Sequence, residues 1–311
     1  MQKKKLKELN EQENIIDKLA PKGSKRRVVV NICTQVYTHP KQILHYMKPQ
    51  KIKRVFYYLF HDGIRGVSKV LDDRMLMGSD LKLELVVKKQ ITGNSIKDYP
   101  EIVFKGAENP LVSIIIPVYN QFDYTYACLR SIFENTGDIN YEIIIADDCS
   151  NDLTKNICEV VKGIHVEKTQ GQSYFLRNCN HAAKAAKGKY IVFLNNDTQV
   201  QENWLKPLVD LMERDSKIGM AGSCLVYPDG RLQEAGGILW KDGSAWNFGN
   251  GHNPAMPEYR YVKDVDYISG AAIMIRHDLW NELGGFDETF APAYCEDSDL
   301  AFSVRKKGYR V

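Results

Sequence analysis

Short clusters of carboxylate and amide side chains follow apolar runs of this chain. The most abrupt change from apolar to polar residues is at Asn195, Asn196 and Asp197. It comes directly after the apolar run 190–194, which is typical of a buried strand. Carboxylate oxygen combined with phosphate oxygen is the ligand set that Mg²⁺ or Mn²⁺ prefers. The cluster therefore predicts a metal and diphosphate site centred on Asp197. The alternative is a strand that ends in a polar turn, because Asn-Asp is ordinary turn chemistry.

Two similar clusters, residues 117–120 and 147–152, follow earlier apolar runs. In the second, Asp148 could accept a hydrogen bond from a pyrimidine N–H or a ribose hydroxyl, and the alternative role is helix capping. Arg177, in a later predicted helix, could reach a phosphate. Its alternative is a solvent-facing or ion-paired arginine.

A fourth cluster, residues 296–299, opens a predicted helix with Glu296, Asp297 and Asp299. Carboxylates are favoured at a helix N-terminus by the helix dipole alone, which is the simpler explanation. Three clustered acids close in sequence to Phe290 and Tyr294 also form an environment that could tune a general base.

Strand and helix patterns alternate from residue 111 onward. The predicted strands are 112–117, 142–146, 164–167 and 190–194, with predicted helices between them. This alternation predicts an α/β fold with a mostly parallel, Rossmann-like sheet and helices on both faces. The first three polar clusters would then meet at the carboxyl edge of the sheet, where such sheets bind ligands.

Beyond residue 197 the pattern predicts further helices and two strands, 218–226 and 265–275. Gly270 lies inside the second of these strands, which indicates a close approach of another backbone. Residues 309–311 resemble the start of a further strand, so we expect the domain to continue beyond them.

Charge divides the chain into two parts. Residues 1–108 contain 22 Lys and Arg against 12 Asp and Glu, whereas residues 109–311 contain 20 against 27. Asn109-Pro110 marks the boundary between a basic, mainly helical N-terminal segment, which could end a preceding domain, and an α/β domain at 109–311. Residues 41–60 have the pattern of a basic amphipathic helix broken at Pro49, which could lie on an anionic membrane or pack on protein.

The sequence contains no run near the roughly 18 apolar residues of a membrane span, and its polar start lacks the apolar core of a signal peptide. Its seven cysteines are scattered and form no Cys-x-x-Cys pair, which is typical of reduced thiols rather than a zinc site. We therefore expect a cytoplasmic protein that the basic segment could hold at the inner face of the cell membrane. No nucleic-acid partner is expected.

Five segments carry a family resemblance in their order and spacing: PLVSIIIPVYNQFDYTYACLRSI, EIIIADDCSND, FLNNDT, GGFDE and CEDSDLAFSVRKKGYRV. Together they resemble a family 2 glycosyltransferase with the GT-A fold, over residues 110–311. The resemblance implies a nucleotide-diphosphate-sugar donor, a divalent Mg²⁺ or Mn²⁺ ion, and inverting transfer of the sugar to a hydroxyl group.

The same resemblance implies roles for individual residues. It assigns nucleotide contacts to Pro117, Tyr119, Asn120, Asp148 and Arg177, and other substrate contacts to Asn195, Asn196 and Gly270. Asp197 becomes the metal-binding end of the DxD motif. Asp297 becomes the catalytic base of the ED motif, with Glu296 orienting the base or the acceptor. The chain departs from the family at Asn195, where an aspartate is usual, and a histidine ligand that many members carry would fall beyond Val311.

The NND motif, the segment GRLQEAGG at 230–237 and the run DYISGAAIMI at 266–275 are similar to bacterial rhamnosyltransferase-like members. This similarity points to dTDP-rhamnose as the donor, and to a growing cell-surface polysaccharide or a lipid-linked glycan as the acceptor.

Two other classes of protein are alternatives to this interpretation. A Rossmann oxidoreductase needs G-x-G-x-x-G after the first strand, but the loop there reads VYNQFD, so this class is set aside. A non-catalytic glycan- or nucleotide-binding scaffold with the same fold stays open. Asn195 fits the scaffold, whereas Asp197 and Asp297 favour the enzyme.

Overall fold

The computed structural model describes residues 83–311, and residues 83–250 and 254–311 form one compact unit. The predictions for residues 1–82, including the amphipathic helix at 41–60, lie outside the described residues. Residues 83–108 contain a 3-10 helix at Ile96–Asp98 and one short strand, and Tyr99, Ile102 and Phe104 are buried against the domain. The division into two domains at residue 108 stays a prediction.

Twelve strands and five α-helices lie within residues 83–311. The strands are β1 (Ile102–Val103), β2 (Val112–Val118), β3 (Tyr141–Asp147), β4 (Val161–Lys162), β5 (His165–Lys168), β6 (Tyr190–Leu194), β7 (Met220–Gly222), β8 (Leu225–Val226), β9 (Leu232–Glu234), β10 (Gly237–Leu239), β11 (Ala245–Asn247) and β12 (Ala272–Arg276). The helices are α1 (Phe122–Asn135), α2 (Tyr174–Ala182), α3 (Leu205–Arg214), α4 (His277–Leu283) and α5 (Glu296–Lys306). No helix in this part of the chain combines the length and apolar character needed to cross a membrane.

Six of the strands form the central sheet in the order β5-β3-β2-β6-β12-β7. The first four are parallel, with Ile114 opposite Ile143 and Ile115 opposite Phe193. β12 is antiparallel to both of its neighbours, β6 and β7. The sheet is therefore mainly parallel, as predicted, and β6 lies in its interior.

Alternate residues of each strand point into two separate cores, because successive strand side chains leave opposite faces of a sheet. On one face, Ile114 and Val192 pack with α1 and α3. On the other face, Ile115 and Phe193 pack with α2, α4 and α5. This arrangement confirms the prediction of helices on both faces, and it explains why the strands are apolar throughout.

The predicted helix after β3 is a 3-10 helix instead, at Leu153–Glu159. Asp152 caps it by accepting from the N–H of Thr154 at 2.9 Å. The sequence LTKNICE contains Thr, Asn, Ile and Cys, which all have low helix propensity, so a tight 3-10 segment forms in place of an α-helix.

The predicted strand at 265–275 is shorter than expected, because only Ala272–Arg276 joins the sheet. Its first half bonds elsewhere: Tyr267 O accepts from Gly237 N at 2.8 Å, and Val265 N donates to Val311 O at 3.1 Å. Gly270 therefore lies outside the strand. A Cβ there would make only ordinary contacts, the nearest 3.5 Å from the Phe175 ring, so the expected close backbone approach is wrong. The predicted strand at 218–226 is likewise divided, into β7 and β8.

Candidate active site

The loops after β2 and β3 are bound together at the carboxyl edge of the sheet. Asn120 N donates to Ser150 Oγ at 2.7 Å, and Asn120 Oδ1 accepts from Asn151 N at 2.8 Å. Asp148 N donates to Val118 O at 2.8 Å. The convergence of the first two polar clusters is therefore confirmed, and Asn120 is one of the residues that hold the two loops together.

The third cluster, at the end of β6, reaches the same edge. Asn196 Nδ2 donates to Thr125 Oγ1 in the first turn of α1 at 3.0 Å. Asn195 N donates to Ala271 O at 3.0 Å, which ties the end of β6 to the residue before β12. Asp197 is exposed to solvent. All three predicted clusters therefore share one edge of the sheet, as expected for a ligand site.

Asp148 is buried, and both of its carboxylate oxygens accept hydrogen bonds from the start of α2. Oδ1 accepts from Thr169 Oγ1, Ser173 N and Ser173 Oγ at 2.6–2.9 Å. Oδ2 accepts from Tyr174 N at 2.8 Å. Because a carboxylate offers about four acceptor positions, Oδ2 retains capacity for one more donor. The capping alternative is thus seen for α2, and the nucleotide contact stays a prediction.

The other predicted nucleotide positions differ in exposure. Pro117 is buried in β2 opposite Ala146, whereas the Tyr119 side chain is 48% exposed. Arg177 Nε donates to Glu288 Oε2 at 3.1 Å, and both side chains are largely exposed. An exposed ion pair contributes at most about 1 kcal/mol, so it can open to admit a phosphate. The phosphate contact of Arg177 stays a prediction.

Asp297 lies in the first turn of α5, and its two carboxylate oxygens bind different partners. Oδ1 accepts from Ser298 N at 2.7 Å and from Ser298 Oγ at 3.2 Å, both within the same helix. Oδ2 accepts from Gly270 N at 3.0 Å. Gly270 therefore contacts the carboxylate of Asp297 through its backbone, one residue before the carbonyl that binds Asn195.

Glu296, the residue before Asp297, carries a buried carboxyl group. Glu296 is 8% exposed and its Oε2 lacks a hydrogen-bond partner among the described residues. Burial, and then the charge of Asp297, raise the pKa of Glu296 above its ordinary value. Its predicted role in orienting the base or the acceptor stays a prediction.

Glu234, at the end of β9, is a buried acid close enough to feel the charge of Asp297, and the sequence analysis did not single it out. It is 1% exposed, its Oε1 accepts from Ser269 N at 3.0 Å, and its Oε2 is without a partner in residues 83–311. Burial raises the pKa of Glu234 to about 6; the Ser269 N–H opposes this shift and the charge of Asp297 adds to it. The sequence carries no clear signal for Glu234, because a three-residue strand is too short to show a periodic pattern and its buried face is seen in the structure.

Three aromatic side chains, Trp240, Trp246 and Tyr294, lie largely outside the core. Trp240 and Trp246, on the β10–β11 hairpin, are 47% and 56% exposed, and their ring centroids lie 5.5 Å apart. Tyr294 is 85% exposed. Phe290 is partly buried and packs on the core beneath α2 and α5. Exposed aromatic rings of this kind are suited to stacking on a ligand.

Turns at this edge of the sheet contain residues other than glycine in left-handed backbone conformation. They are Asn120, Gln121, Cys149, Tyr174, Tyr294 and Cys295, with φ between 55° and 81°. Such conformations cost of order 1 kcal/mol each and cluster at functional sites. The strained residues lie immediately before α1 and α5, at the first position of α2, or directly after β3, and these elements carry the candidate residues.

The donor atoms at Asp197 fit a metal that binds together with a substrate. Residues 83–311 contain no group of three or more His, Cys, Asp or Glu side chains placed to hold an ion. Asp197 supplies one carboxylate, and Asn195 supplies an amide oxygen on the same turn. Mg²⁺ is commonly held by one or two carboxylates plus substrate phosphates, so these residues fit a cation that arrives with a diphosphate.

Comparison with known proteins defines the class. A family model described as Glycosyl transferase family 2 matches residues 113–283, which is more than half of the chain. The chain therefore belongs to glycosyl transferase family 2. Its GT-A fold is similar to that of the crystal structure of GalNAc-T7 with UDP, GalNAc and Mn²⁺, with a TM-score of 0.54 and 20% identity over 65% of this chain and 42% of that one.

Two curated relatives have similar sequences. The uncharacterized protein y4gI of Sinorhizobium fredii is 28% identical over 64% of this chain and 23% of its own length. The O-antigen biosynthesis protein RfbC of Myxococcus xanthus is 28% identical over 65% of this chain and 16% of its own length. The chain thus spans less than a quarter of either relative.

The buried carboxyl of Glu234 gives an expected pH dependence of stability. Its pKa is raised from 4.5 to about 6, so its stabilising neutral form is present below pH 4.5 and is lost as the pH rises through about 6. Glu234→Gln does not titrate. The free energy of unfolding of the variant relative to wild type should therefore increase by about 2 kcal/mol between pH 4.5 and about pH 7.5. Urea denaturation of both proteins at the two pH values measures this. The same difference in free energy of unfolding at both pH values would contradict the raised pKa of Glu234.

Proposed function

We propose that this chain is an inverting glycosyltransferase that moves a sugar from a nucleotide-diphosphate sugar to a hydroxyl of a cell-surface or lipid-linked glycan. The observation that carries the proposal is the segment 269–271. Within it, Gly270 N binds the Asp297 carboxylate and Ala271 O binds Asn195 N, each at 3.0 Å. A candidate diphosphate site and a candidate base thus lie on either side of two consecutive residues.

The reaction requires a base on the acceptor side of the sugar. The acceptor oxygen bonds to the anomeric carbon while the bond from that carbon to the diphosphate oxygen breaks, and the hydroxyl proton passes to a carboxylate within about 3 Å. We propose that Asp297 accepts this proton, because Asp297 lies on α5, a different element from the β6 turn that holds Asp197. Its contacts with Ser298 and Gly270 fix the orientation of the carboxylate before the acceptor arrives.

The donor side is assigned to the joined loops of β2, β3 and β6. Asp148 Oδ2 accepts from the nucleotide base or ribose, Arg177 leaves Glu288 for a phosphate, and Asn195 and Asn196 line the turn beside the diphosphate. Pro117, Tyr119 and Asn120 contribute the adjoining wall. Asp197, together with the diphosphate, would hold a divalent Mg²⁺ or Mn²⁺ ion, which would supply positive charge beside the leaving group.

The donor sugar proposed first is rhamnose from dTDP-rhamnose. The sequence similarity of the NND motif and of residues 230–237 to rhamnosyltransferase-like proteins supports this choice. The O-antigen assignment of the RfbC relative supports a surface polysaccharide as the product.

The test is release of nucleoside diphosphate from a panel of dTDP-rhamnose, UDP-glucose, UDP-GalNAc and GDP-mannose, with Mn²⁺ and with EDTA. Wild-type protein should release the diphosphate from one donor far faster with metal, and Asp297→Asn should not. Binding of a donor without release, with and without a glycan acceptor, would instead support a non-catalytic scaffold.

We also propose that residues 41–65 hold the enzyme at a membrane surface that carries its acceptor. This segment is basic and amphipathic in sequence and lies outside the described residues. Electrostatic attachment should require anionic phosphatidylglycerol vesicles and weaken as salt rises. Vesicle co-sedimentation measures this, and binding that ignores salt, or no binding, would return the segment to a packing role.

A further inference from the structure

Two buried or partly buried carboxyl groups bind consecutive peptide N–H groups of one turn. Glu234 Oε1 accepts from Ser269 N and Asp297 Oδ2 accepts from Gly270 N, both at 3.0 Å. The turn itself is closed by Ala272 N, which donates to Ser269 O at 3.2 Å. A movement of one N–H group in so short a turn therefore moves the other.

The Gly270 contact is the part of this arrangement that matters to Asp297. Among the described residues, every other hydrogen bond of the Asp297 carboxylate comes from Ser298 in its own helix. Gly270 N–H is thus the hydrogen bond that fixes the carboxylate relative to the sheet, since Ala271 binds Asn195 and Ala272 begins β12.

The burial of Glu234 is energetically unfavourable. Glu234 is 1% exposed, and Oε2 has no hydrogen-bond partner in the described part of the chain. Burying a carboxyl group with half of its acceptors unused lowers stability, and an apolar residue of the same size would avoid that cost. Side chains that break the local rules in this way are expected at functional sites.

We propose that Glu234 is a positioning residue for Asp297, which acts by holding the Ser269–Gly270 turn so that Gly270 N–H meets the catalytic carboxylate. The inference rests on the proposed function, because Asp297 is taken as the base. Glu234 itself is buried and touches neither substrate. The turn transmits its effect, and the property of Glu234 that matters is an oxygen acceptor for Ser269 N–H.

Two substitutions of similar size separate this role from others. Glu234→Gln keeps an oxygen that accepts from Ser269 N–H, whereas Glu234→Met fills the same space without an acceptor. Gln233→Ala, one residue earlier on the opposite face of β9, is the matched control. Glu234→Met introduces an apolar side chain into a buried position, so it should fold, and its thermal unfolding is measured beside that of Glu234→Gln.

The first measurement needs no substrate. Amide hydrogen exchange at Ser269 and Gly270, followed by mass spectrometry with single-residue fragmentation, should accelerate by about tenfold or more in Glu234→Met. Acceleration at Gly270 is the decisive part, because its acceptor Asp297 is unchanged. Glu234→Gln and Gln233→Ala should match wild type at both amides. Unchanged Gly270 exchange in a folded Glu234→Met protein would overturn the proposal.

The second measurement is turnover with the donor that the panel selects. Glu234→Met should lose turnover by about 10²-fold, the effect of misplacing a catalytic group by roughly 1 Å, while donor affinity stays the same. Glu234→Gln should recover nearly all of it. A Glu234→Gln variant as impaired as Glu234→Met, or donor affinity that falls with turnover, would contradict the positioning role. If wild type transfers no sugar, the proposed function fails, and the exchange measurement still decides the inference.

Discussion

Asp297→Asn is expected to lower turnover by a factor on the order of 10² or more and to leave donor affinity nearly unchanged. The amide keeps an oxygen that can accept from Gly270 N–H, so the geometry of the turn survives while proton acceptance is lost. Donor affinity should persist because Asp297 belongs to α5, whereas the proposed diphosphate site is the turn after β6.

The control for this variant is Asp299→Asn. Both substitutions remove one negative charge from the first turn of α5, so they change the interaction with the helix dipole equally. Asp297 accepts a hydrogen bond from Gly270 N, and Asp299 makes no such bond among the described residues. Steady-state kinetics together with calorimetric donor binding separate the cases. Near-normal turnover in Asp297→Asn, or equal losses in the two variants, would show that Asp297 is not the base.

Asp197→Asn is expected to weaken nucleoside diphosphate binding by about tenfold or more in Mn²⁺ and hardly at all in EDTA. A single exposed carboxylate is a poor metal site alone, so its contribution should show only when metal and diphosphate are both present. Isothermal titration with UDP, GDP and dTDP, each with Mn²⁺ and with EDTA, gives the comparison. The readout is binding and does not depend on catalysis.

Asp210→Asn is the matched control for the metal prediction. Asp210 is an exposed aspartate of α3 that pairs with Lys206, outside the turn that holds Asp197. It should bind nucleotide as wild type does in both conditions. Equal losses for Asp197→Asn with Mn²⁺ and with EDTA would mean that Asp197 contacts the nucleotide directly or supports the loop, and not the ion.

Much of the sheet could be predicted because its strands are buried on both faces. β6 was predicted at 190–194 and is Tyr190–Leu194, because Gly188 and Asn195 bound an apolar run of five residues, which is short for a helix and typical of a strand. A parallel arrangement also follows from alternating strands and helices. The direction of β12 could not be predicted, because the apolar pattern of a five-residue strand is the same whether the strand is parallel or antiparallel to its neighbours.

The candidate site residues were predicted from their chemical type and position, such as the acids and amides at strand ends. What escaped prediction depends on long-range hydrogen bonds. The partner of Glu234 is Ser269, 35 positions away, and the partner of Asp297 is Gly270, 27 positions away. No periodicity encodes such pairs. The four donors that converge on Asp148 were hidden for the same reason.

The exposed tryptophan pair of the β10–β11 hairpin gives the protein two distinct fluorescent environments. Of the four tryptophans of the chain, Trp204 is half-buried and donates its Nε1–H to Thr136 Oγ1 at 3.1 Å. Trp280 packs against Phe193 and Phe286 with ring centroids 4.7 and 5.0 Å away. Its emission should lie at short wavelength and resist quenching by acrylamide, whereas Trp240 and Trp246 should emit at long wavelength and be quenched readily. A glycan that covers the hairpin would therefore change the long-wavelength emission of Trp240 and Trp246 and leave that of Trp280 unchanged. Loss of the core beneath β6 would instead change the short-wavelength emission of Trp280.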